Sequence, residues 1–128
     1  MNICTHNHID KELCGTPVEQ NDGFCKVKLV TSERMSVDHF QLVHGGFVFG
    51  LADHAAMLAV NDPNVVLGQA SVTFIKPVQP NETLIAEANV NNVEGKKQNV
   101  HVKVFRNTEI VFEGNFVCFI LKKHVLDS

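Results

Sequence analysis

Two ionisable side chains, Asp53 and His54, interrupt an otherwise apolar and small-residue stretch from about Gly45 to Asn61. A carboxylate removed from water is costly unless a cation or hydrogen-bond donors meet it. No Lys or Arg stands three or four residues from Asp53 on either side, so a helix supplies no partner on the same face. Two roles stay open for Asp53. One is a structural hydrogen bond to nearby backbone or to a partner subunit; the other is a nucleophile or general base in a poorly solvated cleft, where desolvation raises its pKa toward a working range. His54 adjoins Asp53 but points about 100° away around a helix, which favours a satisfied core or interface histidine over a catalytic one.

The helix face that carries Asp53 also carries Gly46, Gly50 and Met57. Each glycine inside a helix costs roughly 1 kcal/mol relative to Ala, so a ligand or another chain is expected to approach the backbone there. At the start of the helix, His44-Gly45-Gly46 leaves unpaired N–H groups free of bulky side chains, at the positive end of the helix dipole. Such donors suit the oxyanion that develops when a thioester carbonyl is attacked. Gly46 and Asp53 are separated by roughly 10 Å along one helix, too far to serve one carbonyl. If both act on the same thioester, the carboxylate of one subunit meets the helix tip of another, and the protein is at least a dimer.

The elements that position these residues follow from pattern. The chain has 128 residues, 45% hydrophobic and 20% charged, which fits a single domain over 1–128 with its own core. With a formal net charge of −3 and eleven scattered Lys and Arg, no basic stripe points to nucleic acid or anionic lipid. The longest apolar stretch is too short and interrupted for a membrane span, and the N-terminus lacks the apolar region of a signal peptide, so a cytoplasmic protein is expected. The four cysteines are then expected to stay reduced. Cys4, His6, His8 and Cys14 match no structural zinc spacing and lie in a terminal segment of about ten residues expected to be loosely held, so no metal is expected.

The helix, stopped by Pro63, is apolar nearly all round: Phe47, Leu51 and Leu58 on one side, Val48, Ala52, Ala55 and Ala59 on another, Phe49 and Ala56 on a third. Before it, Thr16–Gln20 and Phe24–Thr31 read as strands joined at Asn21-Asp22-Gly23. After it, strands are expected over Val65–Pro77, around Leu84 to Val90, and, beyond a turn at Glu94-Gly95-Lys96-Lys97, through Val100, Val102 and Val104. The last strand, about Ile110 to Leu121, is apolar on both faces and is expected to be covered on both, by the helix and by another subunit. One long helix wrapped by a curved antiparallel sheet is an α+β arrangement.

The stretch from His44-Gly45-Gly46 through Leu51, Asp53 and Ala55, followed by Ser71-Val72-Thr73-Phe74-Ile75-Lys76-Pro77, resembles the His-Gly-Gly, Leu and Asp signature of hotdog-fold thioesterases of the phenylacetate-degradation type. The resemblance covers about residues 12 to 121. It implies a hotdog fold, dimers with helices side by side that often pair into tetramers, and hydrolysis of an acyl-CoA thioester by Asp53 as general base or nucleophile, with no cofactor beyond the CoA thioester as substrate. In the family the amide of the glycine after the histidine, here Gly45, polarises the carbonyl; the helix geometry equally favours Gly46. His44 is implied to shape the site, or to hydrogen-bond at the helix N-terminus. Asp38 stands where relatives often carry Asn, and its role as water positioner, substrate contact or turn cap stays open.

Expected substrate contacts are Phe47, Gly50, Met57 and Asn61 on the helix, with Ser71, Phe74 and Lys76 downstream. Against that, Phe and Met at such positions are often core, and Asn61 also suits a helix C-terminus. The alternative function is a non-catalytic acyl-CoA binding or sensing module; no hydratase-like Asp and His arrangement is evident.

Overall fold

The computed structural model describes residues 1–127. Six strands, β1 (Thr16–Asn21), β2 (Phe24–Val30), β3 (Val65–Phe74), β4 (Thr83–Glu94), β5 (Lys97–Arg106) and β6 (Glu109–Ile120), form one sheet in the order β1-β2-β4-β5-β6-β3. Every neighbouring pair is antiparallel. A short helix α1 (Lys11–Cys14) precedes β1, and the long helix α2 (Gly45–Val60) lies between β2 and β3 in the chain. This is the expected α+β arrangement. No helix among the described residues is long and apolar enough to cross a membrane.

Period-two alternation builds the inner face of the sheet. Cys25, Val27 and Leu29 of β2, Leu84, Ala86 and Ala88 of β4, Val100, Val102 and Val104 of β5, and Phe112, Phe116 and Cys118 of β6 are all buried against α2. From the helix, Leu51, Ala52, Ala55, Ala56, Leu58 and Ala59 fill the space, and the alanines let the backbone sit close to the sheet. Phe49 packs on Phe116 with ring centroids 5.5 Å apart. Each fully buried Leu or Phe contributes about 2 kcal/mol, so packing rather than propensity holds a helix with two internal glycines.

Several boundaries differ from the expectation for physical reasons. β3 stops at Phe74, three residues before Pro77, because the Ile75 and Lys76 amides both turn to the Val111 carbonyl, at 2.8 and 3.2 Å, and leave the ladder. The outer face of β6 is less covered than its inner one: Val117 and Phe119 are half-buried in the single chain. Gly114 lets β3 pass, since a Cβ there would meet Val72 Cγ1 at 2.6 Å.

The N-terminal segment packs on the helix. It is tied to the far end of α2, where the Cys4 amide donates to Asn61 Oδ1 at 2.9 Å and Asn61 Nδ2 donates to the Asn2 carbonyl at 2.7 Å. Thr5 is buried. Asp10 then caps α1, accepting from the Glu12 and Leu13 amides at 3.0 and 3.2 Å.

Candidate functional site

The tip of α2 is fixed before the helix begins. The Val43 amide donates to the Val78 carbonyl at 2.8 Å and the His44 amide to the Met35 carbonyl at 2.9 Å. His44 is the N-cap, yet its side chain makes no capping bond and is exposed. The Gly45 and Gly46 amides therefore stand at the tip with no intrahelical acceptor and no side chain of their own. Gly45 has a packing reason as well: a Cβ there would meet Phe74 Cε1 at 3.0 Å. Gly46 is exposed, and only the ring of its own neighbour His44 lies near, so the tip is open.

Beside this tip lies a cleft of about 280 Å³, lined among others by Leu42, Gly45, Val48, Phe74, Lys76 and Val78. Phe74 is 55% exposed and edges onto Phe112 at 5.1 Å, forming an apolar lip. Lys76 stands at the rim, 3.9 Å from the half-buried Glu109. A larger cavity of about 860 Å³, at Lys28, Ser32 and Arg34, contains none of the candidate residues.

Asp53 lies two turns along α2, on the Gly46 and Gly50 face. Its Oδ1 is buried and has no hydrogen-bond partner among the described residues. Burial alone pushes its pKa up to about 6. An acid in that range changes charge near neutral pH, which suits proton transfer or nucleophilic attack. The cleft at the helix tip does not include Asp53 among its lining residues, as the separation along the helix requires. His54, in contrast, is a satisfied core residue: 2% exposed, with Nδ1 donating to the Cys14 carbonyl at 3.0 Å and a pKa lowered chiefly by burial.

The other candidates divide. Gly45, Phe74 and Lys76 share the cleft, and the half-buried Phe47 packs edge-on to His44 at 6.2 Å. Gly50 is half-buried, its nearest neighbour being Cys14 Sγ, 4.0 Å from where a Cβ would stand. Four further candidates lie outside the cleft. Asp38 is an exposed turn cap, its Oδ1 accepting from the Phe40 and Leu42 amides at 3.0 and 3.2 Å. Met57 is 1% exposed and belongs to the core. Asn61 ends α2 in the left-handed conformation, φ 53°, and its side chain is spent on the N-terminal segment. Ser71 pairs with Asn115 on the outer face of the sheet, opposite in parity to Val72, which packs inward.

The sequence reading missed Leu42, Val48 and Val78 of the cleft, which carry no polar signal, and Cys14, whose place beside Gly50 depends on a helix one turn long.

A six-stranded antiparallel sheet around one long helix is the hotdog fold, and the model of the thioesterase superfamily matches residues 40–113, so the chain belongs to that superfamily. Its structure is similar to that of the uncharacterized protein PH1136 from Pyrococcus horikoshii, with a TM-score of 0.98 and 50% identity over 99% of this chain and 98% of the other. In sequence it is 48% identical over 121 residues to the methylthioribose-1-phosphate isomerase of Aquifex aeolicus, covering 94% of this chain but 26% of that protein. It is 29% identical over 115 residues to the transcription factor FapR of Staphylococcus aureus, covering 89% of this chain and 62% of FapR. The chain thus spans less than two thirds of either of these relatives.

Proposed function

We propose that this protein hydrolyses an acyl-CoA thioester, with Asp53 of one subunit acting on a carbonyl held at the Gly45-Gly46 tip of α2 in a second subunit. The observation that carries the reading is the buried, unpartnered Oδ1 of Asp53 on a helix face opened by two glycines. An acid kept so only for structure would be expected to have its hydrogen bonds made.

The carboxylate is the reactive form. As a general base it takes a proton from water, whose oxygen attacks the thioester carbon; as a nucleophile it bonds that carbon itself, and water then cleaves the acyl-enzyme anhydride. In both routes the carbonyl oxygen gains charge facing the helix-tip amides, and the CoA thiolate leaves and is protonated. The apolar cleft with Phe74 suits the acyl group, and Lys76 at its rim suits an anionic part of the substrate. Water is the only co-reactant needed. The arrangement calls for a homodimer with composite sites, and dimers of dimers fit the half-buried outer face of β6.

The similarity to FapR, a transcription factor, favours a second reading, a binding module without turnover. Thiol release from a panel of acyl-CoAs, followed with wild type and Asp53→Asn, separates the two. Release that depends on Asp53 supports hydrolysis; saturable binding without release supports the sensing module.

A further inference from the structure

The N-terminal segment crosses α2 and is fastened to it at two points, Asn61 at the end of the helix and His54 in its middle. At His54 the acceptor is the Cys14 carbonyl, which cannot donate, so the ring carries its proton on Nδ1. Burial keeps this ring neutral, and His6 and Lys11, the charged or titratable neighbours on the segment, oppose its protonation further.

The His54 bond seats α1 against the glycine face of α2. Cys14 Sγ comes to 4.0 Å from the Cβ position of Gly50, one turn before Asp53. Helical side chains lean toward the N-terminus, over the residue three or four earlier, so the Asp53 carboxyl leans over Gly50 toward this thiol. A thiol is a weak donor and an apolar neighbour. Such a neighbour can exclude water without bonding Oδ1, which is buried and has no hydrogen-bond partner. The titratable groups within the field of the Asp53 carboxyl are this thiol and that of Cys118 on β6, both kept protonated by burial; Asp10 bears on Cys14 from the start of α1.

We propose that His54 is a positioning residue for Asp53: its bond to the Cys14 carbonyl seats α1 so that the Cys14 thiol shields one side of the Asp53 carboxyl from water. Its bearing on turnover rests on the hydrolase reading, so the geometry is tested without substrate.

The experiment follows the Asp53 carboxyl by carbon NMR through a pH titration of the full chain, alongside the rate at which a disulfide reagent labels Cys14. Wild type is expected to titrate at about 6. In His54→Leu the midpoint falls by roughly one pH unit and Cys14 labels about tenfold faster, as α1 lifts and water enters. In His54→Asn, whose amide offers a donor near the same place, both values stay near wild type. Cys14→Ser leaves the backbone bond intact but puts a hydroxyl donor beside Oδ1, and the midpoint again falls by roughly one unit. If His54→Leu does not fold, His54→Ala, which removes the ring donor without adding bulk, takes its place with the same expected changes.

An Asp53 midpoint unmoved in folded His54→Leu or in Cys14→Ser overturns the assignment, as does unchanged Cys14 labelling in His54→Leu. With an acyl-CoA substrate the acid limb of kcat/KM moves with the NMR midpoint. Absence of turnover by wild type would sink the hydrolase reading and leave the NMR result standing.

Discussion

Asp53 and His54 are consecutive on α2, and the fold satisfies one and not the other: His54 Nδ1 donates to the Cys14 carbonyl at 3.0 Å, while Asp53 Oδ1 is buried without a partner. The rotation of about 100° between successive helical residues separates them. His54 turns into the core under α1; Asp53 turns toward the Gly46 side of the helix, where Gly46 is exposed.

The buried acid should cost stability. Its folded-state pKa of about 6 lies above the ordinary value of 3.8, so the native state holds an extra proton between those limits. Stability therefore falls as pH rises through that window, and the loss persists above it. Asp53→Asn is expected to raise stability at pH 7.5 by about 2 kcal/mol, an advantage that disappears below pH about 4. Urea unfolding at the two pH values checks this.

Turnover should depend on the same titration in the opposite sense. The anion is the reactive form, so kcat/KM is expected to rise tenfold per pH unit below about 6 and level off above it. In Asp53→Asn the rate falls by about 100-fold or more and this limb vanishes. A pH profile from 4.5 to 8.5 by thiol release measures both.

The two glycines make different predictions. Gly50→Ala meets only Cys14 Sγ, at an ordinary 4.0 Å, and removes a helix-breaking residue, so thermal unfolding should show a gain of about 0.5–1 kcal/mol. Its kcat/KM should nevertheless drop by roughly tenfold, because the added methyl occupies the face where substrate or partner approaches. Gly45→Ala pushes on the exposed edge of Phe74 at 3.0 Å; the ring can swing, so stability changes by under about 1 kcal/mol while the cleft is reshaped and KM rises.

Asn61→Ala should be purely structural. It loses both bonds to the N-terminal segment and a residue suited to the left-handed conformation, for a destabilisation of about 2 kcal/mol. The kcat of the folded fraction should match wild type, which assays of both variants at low temperature would show.

Much of the architecture was legible because it rests on periodicity. Val100, Val102 and Val104 alternate without interruption, and α2 is too long and apolar to be anything but a central helix. The chemistry of Asp53 was legible for the opposite reason, as a lone charge that breaks its surroundings. Where the sequence left alternatives open, the choice depends on contacts that a local pattern does not show. Asn61 suited both a substrate contact and a helix end, and it ends α2 with Asn2 and Cys4 beside it; for Asp38 the turn cap was one of three open roles, and the Phe40 and Leu42 amides turn back onto it. Ser71 was misplaced because a strand pattern does not show which face meets the helix; that parity is set by pairing with β6. α1 went unseen because a single turn has no period, although Asp10 and Gly15 bracket it with cap signals.

Subunit mixing tests the composite site most directly. Asp53→Asn disables the acid, and Gly46→Val places branched carbons over the helix-tip amides; each homo-oligomer should be inactive toward an acyl-CoA. When the two are dissociated and reassembled together, half the dimers are mixed and each has one intact site, so roughly a quarter of wild-type activity should return. Mixtures that stay as inactive as their parents, despite subunit exchange proven by mass spectrometry, would contradict an acid and an oxyanion site contributed by different chains.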